Sequence, residues 1–190
     1  MSWLRRIAVN EAGRAQSMVL DASTMLGAQQ IVDSVRVEGR AAIQRWSQQF
    51  GDGDQLVLYG HDALIAALDA LPKDTQEVLR STADRIHAFA ACQRASIQDI
   101  SRCVPGGQCG LRYQPVARAG CYAPGGRFPL PSSVLMTACT ARAAGVAEVW
   151  VASPRPQQIT LAAAAVAGAD GVLAIGGAQA IAAMAYGFEG

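Results

Sequence analysis

Gly120-Cys-Tyr-Ala-Pro-Gly-Gly126 and Gly176-Gly-Ala-Gln-Ala-Ile-Ala-Ala183 carry most of what this chain's sequence says about its fold. In each, a strand-like run gives way at a glycine pair to a helix-like run. A helix start presents unpaired N–H groups and the positive end of its dipole, so it suits a phosphate or another anion. Two such turns in one chain point to an α/β domain that holds a nucleotide. No Gly-x-Gly-x-x-Gly fingerprint is present, so the usual dinucleotide signature is missing. Taken alone, each glycine pair reads equally well as a tight turn with no ligand.

The segments around these turns alternate. Leu111-Arg-Tyr-Gln-Pro-Val116 has the apolar–polar alternation of a half-exposed strand, and Ala117–Tyr122 reads as the next strand. Pro131 opens a helix that runs to Ala144 and ends at Gly145. Glu148–Ser153 is a compact apolar run suited to a buried parallel strand. Ser153-Pro-Arg-Pro156 is a loop, and Gln158–Ala167 an Ala-rich helix. Gly171–Ile175 is another buried strand, followed by a helix over Ala178–Tyr186. Strand, helix, strand, helix, strand, helix predicts a doubly wound, mostly parallel, Rossmann-like sheet with right-handed crossovers. The chain stops at Gly190 just after a helix, where such a sheet normally continues. The expectation is therefore an incomplete sheet from the front part of a larger enzyme. Its strands Val149-Trp-Val151 and Val172-Leu-Ala-Ile175 are expected to leave an uncovered apolar face and an exposed edge.

Ahead of this lies a helical unit. Residues 1–22 show weak patterning, that of an irregular arm with a short helix. Met25, Ala28, Val32, Val35, Gly39, Ala42, Trp46 and Phe50 fall at three- and four-residue steps, which predicts one helix face ended by Gly51-Asp-Gly53. Gln55–Tyr59 reads as a short strand or an extended connector. Asp62 opens a helix with Leu64, Ile65, Leu68 and Leu71 on its apolar side. Asp74 begins another that runs to about Ala95 and buries Leu79, Ala83, Ile86 and Ala90. The division predicted is a helical unit over residues 1–101 and the α/β nucleotide-binding domain over residues 102–190.

Composition excludes several classes. Of 190 residues, 51% are hydrophobic and 16% charged, as in an ordinary globular protein, and the net charge of +1 draws the chain neither to nucleic acid nor to an anionic membrane. No apolar run approaches a bilayer span, and the N-terminus lacks a signal peptide's apolar core. The five cysteines, Cys92, Cys103, Cys109, Cys121 and Cys139, include no Cys-x-x-Cys. Free thiols in a reducing cytoplasm are the better reading, although Cys103 and Cys109 flank a turn. The only histidines are His61 and His87, and His87 lies off its helix's apolar stripe, so no zinc set emerges.

Ligands of open α/β sheets bind beyond the carboxyl ends of the strands. Those ends are Tyr122–Gly126, Ser153–Pro156 and Gly176–Gln179. Tyr122 offers a ring face and a hydroxyl, and Gln179 a carboxamide that both donates and accepts. Arg127 and Arg155 are available to balance a pyrophosphate.

Gly120–Gly126, Pro131-Ser-Ser-Val-Leu-Met136, Ala143-Ala-Gly-Val146, Ser153-Pro154 and Gly176–Gly187 together resemble the histidinol dehydrogenase family, in order and spacing. Val35–Ile43 and Trp46–Phe50 resemble that family's early helices, so the likeness covers nearly the whole chain. It implies an NAD-dependent, zinc-dependent oxidation of L-histidinol to L-histidine by a cytoplasmic homodimer. It implies NAD contacts for Tyr122 and Gln179. It places the zinc ligands and the catalytic Glu-His pair in a following half, so no catalytic or metal residue is assigned here. Cys121 and Phe188 depart from the family's usual residues, and some relatives oxidise other small alcohols. The alternatives are a related NAD-dependent alcohol dehydrogenase and a non-catalytic truncated remnant. The chain by itself is expected not to oxidise histidinol, having neither a metal set nor an acid/base pair.

Overall fold

The computed structural model describes residues 21–53 and 56–187. The arm expected over residues 1–22 falls almost wholly outside them, as does Phe188. In chain order the elements are α1 (Ala22–Glu38), α2 (Arg40–Phe50), β1 (Leu58–Gly60), α3 (His61–Asp69), α4 (Lys73–Ala95), β2 (Ile100–Val104) and β3 (Gly107–Leu111). They continue as β4 (Arg118–Tyr122), α5 (Pro131–Ala143), β5 (Glu148–Ala152), α6 (Gln158–Val166), β6 (Gly171–Leu173) and α7 (Gly177–Tyr186).

The main sheet has the order β1-β6-β5-β4. The pairs β4–β5 and β5–β6 are parallel, as the alternation of segments predicts. β1 adds an antiparallel edge strand, pairing Leu58 with Leu173 and Gly60 with Gly171. Of the run Gln55–Tyr59, Leu58 and Tyr59 join this strand because β6 offers an open edge, Leu56 and Val57 stay outside it, and Gln55 lies outside the described residues.

The expected uncovered sheet face does not exist among the described residues. Val149, Val151 and Val172 are buried in one cluster with Leu64, Leu68, Leu79, Val134, Leu135 and the alanines of α6. Ala152, Leu173 and Ile175 are buried in a second cluster with Val35, Ala42, Ile43 and Ala180, Ala182 and Ala183 of α7. Helices α3–α6 therefore cover one face, and α1, α2 and α7 cover the other. Packing crosses residue 101 on both faces, because helices from the first hundred residues close the sheet built after it. Alanine dominates α6 and α7 because small side chains let a helix lie close on a sheet, where dispersion contacts are densest.

Three local expectations change. The helix expected from Met25 to Phe50 is two helices, broken at Gly39 with φ 58° and ψ −129°. A residue with a Cβ is disfavoured at that positive φ, so glycine places the bend there. The buried residues become Ile31 and Val35, then Ala42, Ile43 and Ser47, while Met25 and Phe50 are exposed. Leu111–Val116 is not a strand. The strand is β3, paired antiparallel with β2 around Pro105-Gly106, and every residue of this hairpin is exposed. In its register Cys103 faces Gln108 and Arg102 faces Cys109. Cross-strand partners share a face and neighbours alternate, so Cys103 and Cys109 point to opposite faces. All five cysteines are free thiols.

At the amino ends of the strands, Arg142 ties the layers together. Its guanidinium donates to Gly168 O at 2.6 and 2.8 Å, to Ala147 O at 2.6 Å and to Asp170 at 2.7 Å. Asp170 in turn accepts from the Val149 N–H at 2.7 Å. The opposite ends of the strands are free to build a site.

Candidate functional site

Three loops meet at the carboxyl ends of β4, β5 and β6, and Pro154 lies between them. A Cβ on Gly125 would come within 2.4 Å of Pro154 Cγ, and one on Gly176 within 2.8 Å of Pro154 Cβ. Glycine on both sides lets the two outer loops close onto the proline ring. The backbones are stitched as well: Ala123 N–H donates to Ala152 O at 2.9 Å and Ser153 N–H to Leu173 O at 3.0 Å.

The two glycine turns are not equivalent. Gly176-Gly177 opens α7 directly. Gly125-Gly126 does not open a helix, because α5 starts only at Pro131, after Arg127–Leu130. That intervening segment and Ser153–Gln157 enclose an open cavity of about 310 Å³ lined by Ala123–Gly126, Phe128–Leu130, Ser153–Gln157 and Thr160. Arg155 lines it, at φ 45°, a left-handed conformation unusual for arginine. Arg127 is not among its lining residues, and its guanidinium lies over the Phe128 ring at 5.5 Å. Of the two arginines named from sequence, only Arg155 lines the cavity.

Tyr122 and Gln179 meet around Gly177, beside this cavity and outside its lining. The Gly177 N–H donates to Tyr122 Oη at 3.2 Å. Gly177 has φ 66°, and a Cβ there would lie 2.6 Å from Gln179 Oε1. Gln179 is completely buried, and neither Oε1 nor Nε2 has a partner among the described residues. An unpaired buried amide costs about 1–3 kcal/mol, so natural structures keep few of them.

A further participant comes from the helical unit. Asp52, just beyond α2, accepts a hydrogen bond from the Gly176 N–H at 2.9 Å. The start of α7 is therefore less open than its glycines imply. Its first two donors already serve Asp52 and Tyr122. No local sequence signal reveals a bond between positions so far apart.

Cys121 sits on β4 beneath this site. Burial pushes its thiol above the ordinary range, partly offset by a hydrogen bond with Thr137. His61 and His87 are exposed and distant in the chain from the three loops. Among the described residues no group of three or more His, Cys, Asp or Glu side chains is placed to hold a metal. No described helix is long and apolar enough to cross a membrane.

The family model of histidinol dehydrogenase matches residues 15–190. The histidinol dehydrogenase of Natronomonas pharaonis is 43% identical over 162 residues, which are 84% of this chain and 38% of that protein. That of Aromatoleum aromaticum is 41% identical over 178 residues, covering 89% of this chain and 40% of that protein. The crystal structure of histidinol dehydrogenase from Elizabethkingia anophelis superposes with a TM-score of 0.75 at 24% identity, over 89% of this chain and 40% of that one. The chain thus spans about two fifths of the length of each of these proteins, and the structural likeness confirms the incomplete α/β fold.

Proposed function

The chain belongs to the histidinol dehydrogenase family, a family of oxidoreductases, and on this ground we propose that it forms a dinucleotide-binding part of an NAD-dependent alcohol dehydrogenase. The substrate is a small alcohol. L-histidinol, oxidised through an aldehyde to L-histidine in histidine biosynthesis, is the reading that the relatives' names favour. A cytoplasmic homodimer belongs to the same proposal.

One observation carries the cofactor: the carboxamide of Gln179, buried with neither polar atom paired at the first turn beyond β6. A ligand rich in donors and acceptors restores what burial removed, and a nicotinamide dinucleotide carries a carboxamide, ribose hydroxyls and phosphates. Gly177 lies over the Gln179 amide and is itself exposed, so only a glycine separates that amide from the surface. Tyr122 contributes a half-buried ring, with its hydroxyl fixed by the Gly177 N–H. These two residues bind and orient the cofactor. When bound, NAD supplies the acceptor for the hydride that leaves the alcohol carbon. Zinc is different. The residues described do not fit it, since no ligand cluster is present among them.

Titration calorimetry with NAD+ tests the proposal. Weak binding in the millimolar region is expected, roughly −4 kcal/mol, further weakened in Gln179→Ala and Tyr122→Ala. Binding unchanged in both variants, or none at concentrations well above that range, overturns it.

A further inference from the structure

We propose that Asp52 is a positioning residue for this site: its carboxylate fixes the Gly176-Gly177 turn and so delivers the Gly177 N–H to Tyr122. The proposal rests on the dinucleotide-binding reading above and adds a residue from the helical pair that precedes the sheet.

Asp52 is held before it touches the turn. Gly51 is left-handed at φ 76°, its N–H donates to Gln48 O at 3.2 Å, and the Asp52 N–H reaches back to Ser47 O at 2.8 Å. This is a Schellman closure, which locks the residue after the helix in place. Ser47 is buried, and α2 packs against α7 through the cluster containing Ala42, Ile43, Ala180 and Ala183. The carboxylate therefore sits on a rigid support, 124 positions away in sequence from the glycine it binds.

The receiving end is rigid too. Gly176 is buried and pressed against Pro154, so its peptide has little room to rotate. Its N–H points at Asp52 Oδ2, and the next N–H, that of Gly177, points at Tyr122 Oη. Consecutive peptides share one Cα, so fixing the first restricts the second. A carboxylate also gains from the positive end of the helix that follows. One charged hydrogen bond thus sets the orientation of the donor that holds the ring of Tyr122.

The experiment uses the full chain with Asp52→Ala, Asp52→Asn and Asp52→Glu, each read by amide NMR and by NAD+ titration. In Asp52→Ala the Gly176 amide proton moves upfield and the Gly177 amide and Tyr122 ring signals move with it. NAD+ affinity falls by about tenfold because the Tyr122 ring is no longer held in place for the cofactor. Asp52→Asn, which keeps an acceptor oxygen, recovers most of the affinity. A merely structural role predicts a lower melting temperature in Asp52→Ala with affinity unchanged, and that result overturns the proposal. If the parent itself binds no NAD+, the dinucleotide reading fails. The positioning role then stands or falls on the spectra alone: Gly177 and Tyr122 signals unmoved in Asp52→Ala overturn it. Should Asp52→Ala not fold, the spectra of Asp52→Asn and Asp52→Glu decide. Gly176 and Gly177 shifting together supports the role, and Gly176 shifting with Gly177 unmoved overturns it.

Discussion

Pro154 approaches Gly125 so closely that a single added Cβ would lie 2.4 Å from the proline's Cγ. The same ring presses on Gly176 from the other side, so one proline spaces the loops of three strands. Overpacking a site of this kind costs about 1–3 kcal/mol. Gly125→Ala and Gly176→Ala are each expected to lose that much in urea denaturation, and Pro154→Ala is expected to relieve both. A double-mutant cycle in which the losses simply add would show that the loops are not coupled through the ring.

Gly177 is constrained by conformation as well as by space. Its φ of 66° and the nearby Gln179 Oε1 disfavour any side chain. Gly177→Ala should cost about 1–2 kcal/mol from the backbone term alone, and it should weaken NAD+ binding at the same time. A thermal melt and an NAD+ titration on the same sample check both effects.

The parallel strands, the Ala-rich covering helices and the placement of Tyr122 and Gln179 are legible in the sequence because they are local. Alternation of period, glycine stops and helix starts leave marks within a few residues. Part of what is not legible depends on distant partners, and part on local features that leave no periodicity. The continuous stripe from Met25 to Phe50 conceals the break at Gly39, since a glycine on the apolar side fits the period of an unbroken helix. The sheet looks uncovered in sequence because α1 and α2 lie more than sixty residues before the strands they close over. The hairpin of β2 and β3 escapes a sequence reading because Gly107 and Gly110 give β3 little strand propensity. There pairing overrides propensity, and no periodicity marks it. Asp52 reads only as turn chemistry, because its partner is Gly176.

Burial separates the five thiols. Cys121 and Cys139 are buried, and burial raises both thiols above the ordinary value of 9.0, with Asp84 adding to the effect at Cys139. Both stay protonated at neutral pH and inaccessible. Iodoacetamide should label Cys92, Cys103 and Cys109 in the folded chain and reach the other two only in denaturant. Mass spectrometry of the labelled peptides checks this, and early labelling of Cys121 would contradict its burial on β4.

Glu148 gives the fold an acid-side dependence. The Trp150 indole N–H at 2.6 Å and then Arg118, also at 2.6 Å, hold its carboxyl below the ordinary 4.5. A depressed folded-state value means that the unfolded chain takes up the proton first as pH falls. The contribution is therefore present above pH 4.5 and lost as pH falls through the lower folded-state value. Glu148→Gln should flatten stability against pH in that acid window and leave the profile near neutrality parallel to the parent's. Because the pair is solvent-exposed, the effect should be small and should shrink further in high salt.

NMR titration of the isotope-labelled chain with NAD+ places the cofactor residue by residue. The account predicts that amide shifts gather at residues 122–126 and 176–180, that the Gln179 side-chain amide pair moves on binding, and that Gln179→Ala diminishes the whole set. Shifts clustered elsewhere, such as along the β4 edge near Arg118 and Met184, or an unmoved Gln179 amide at saturation, would contradict it.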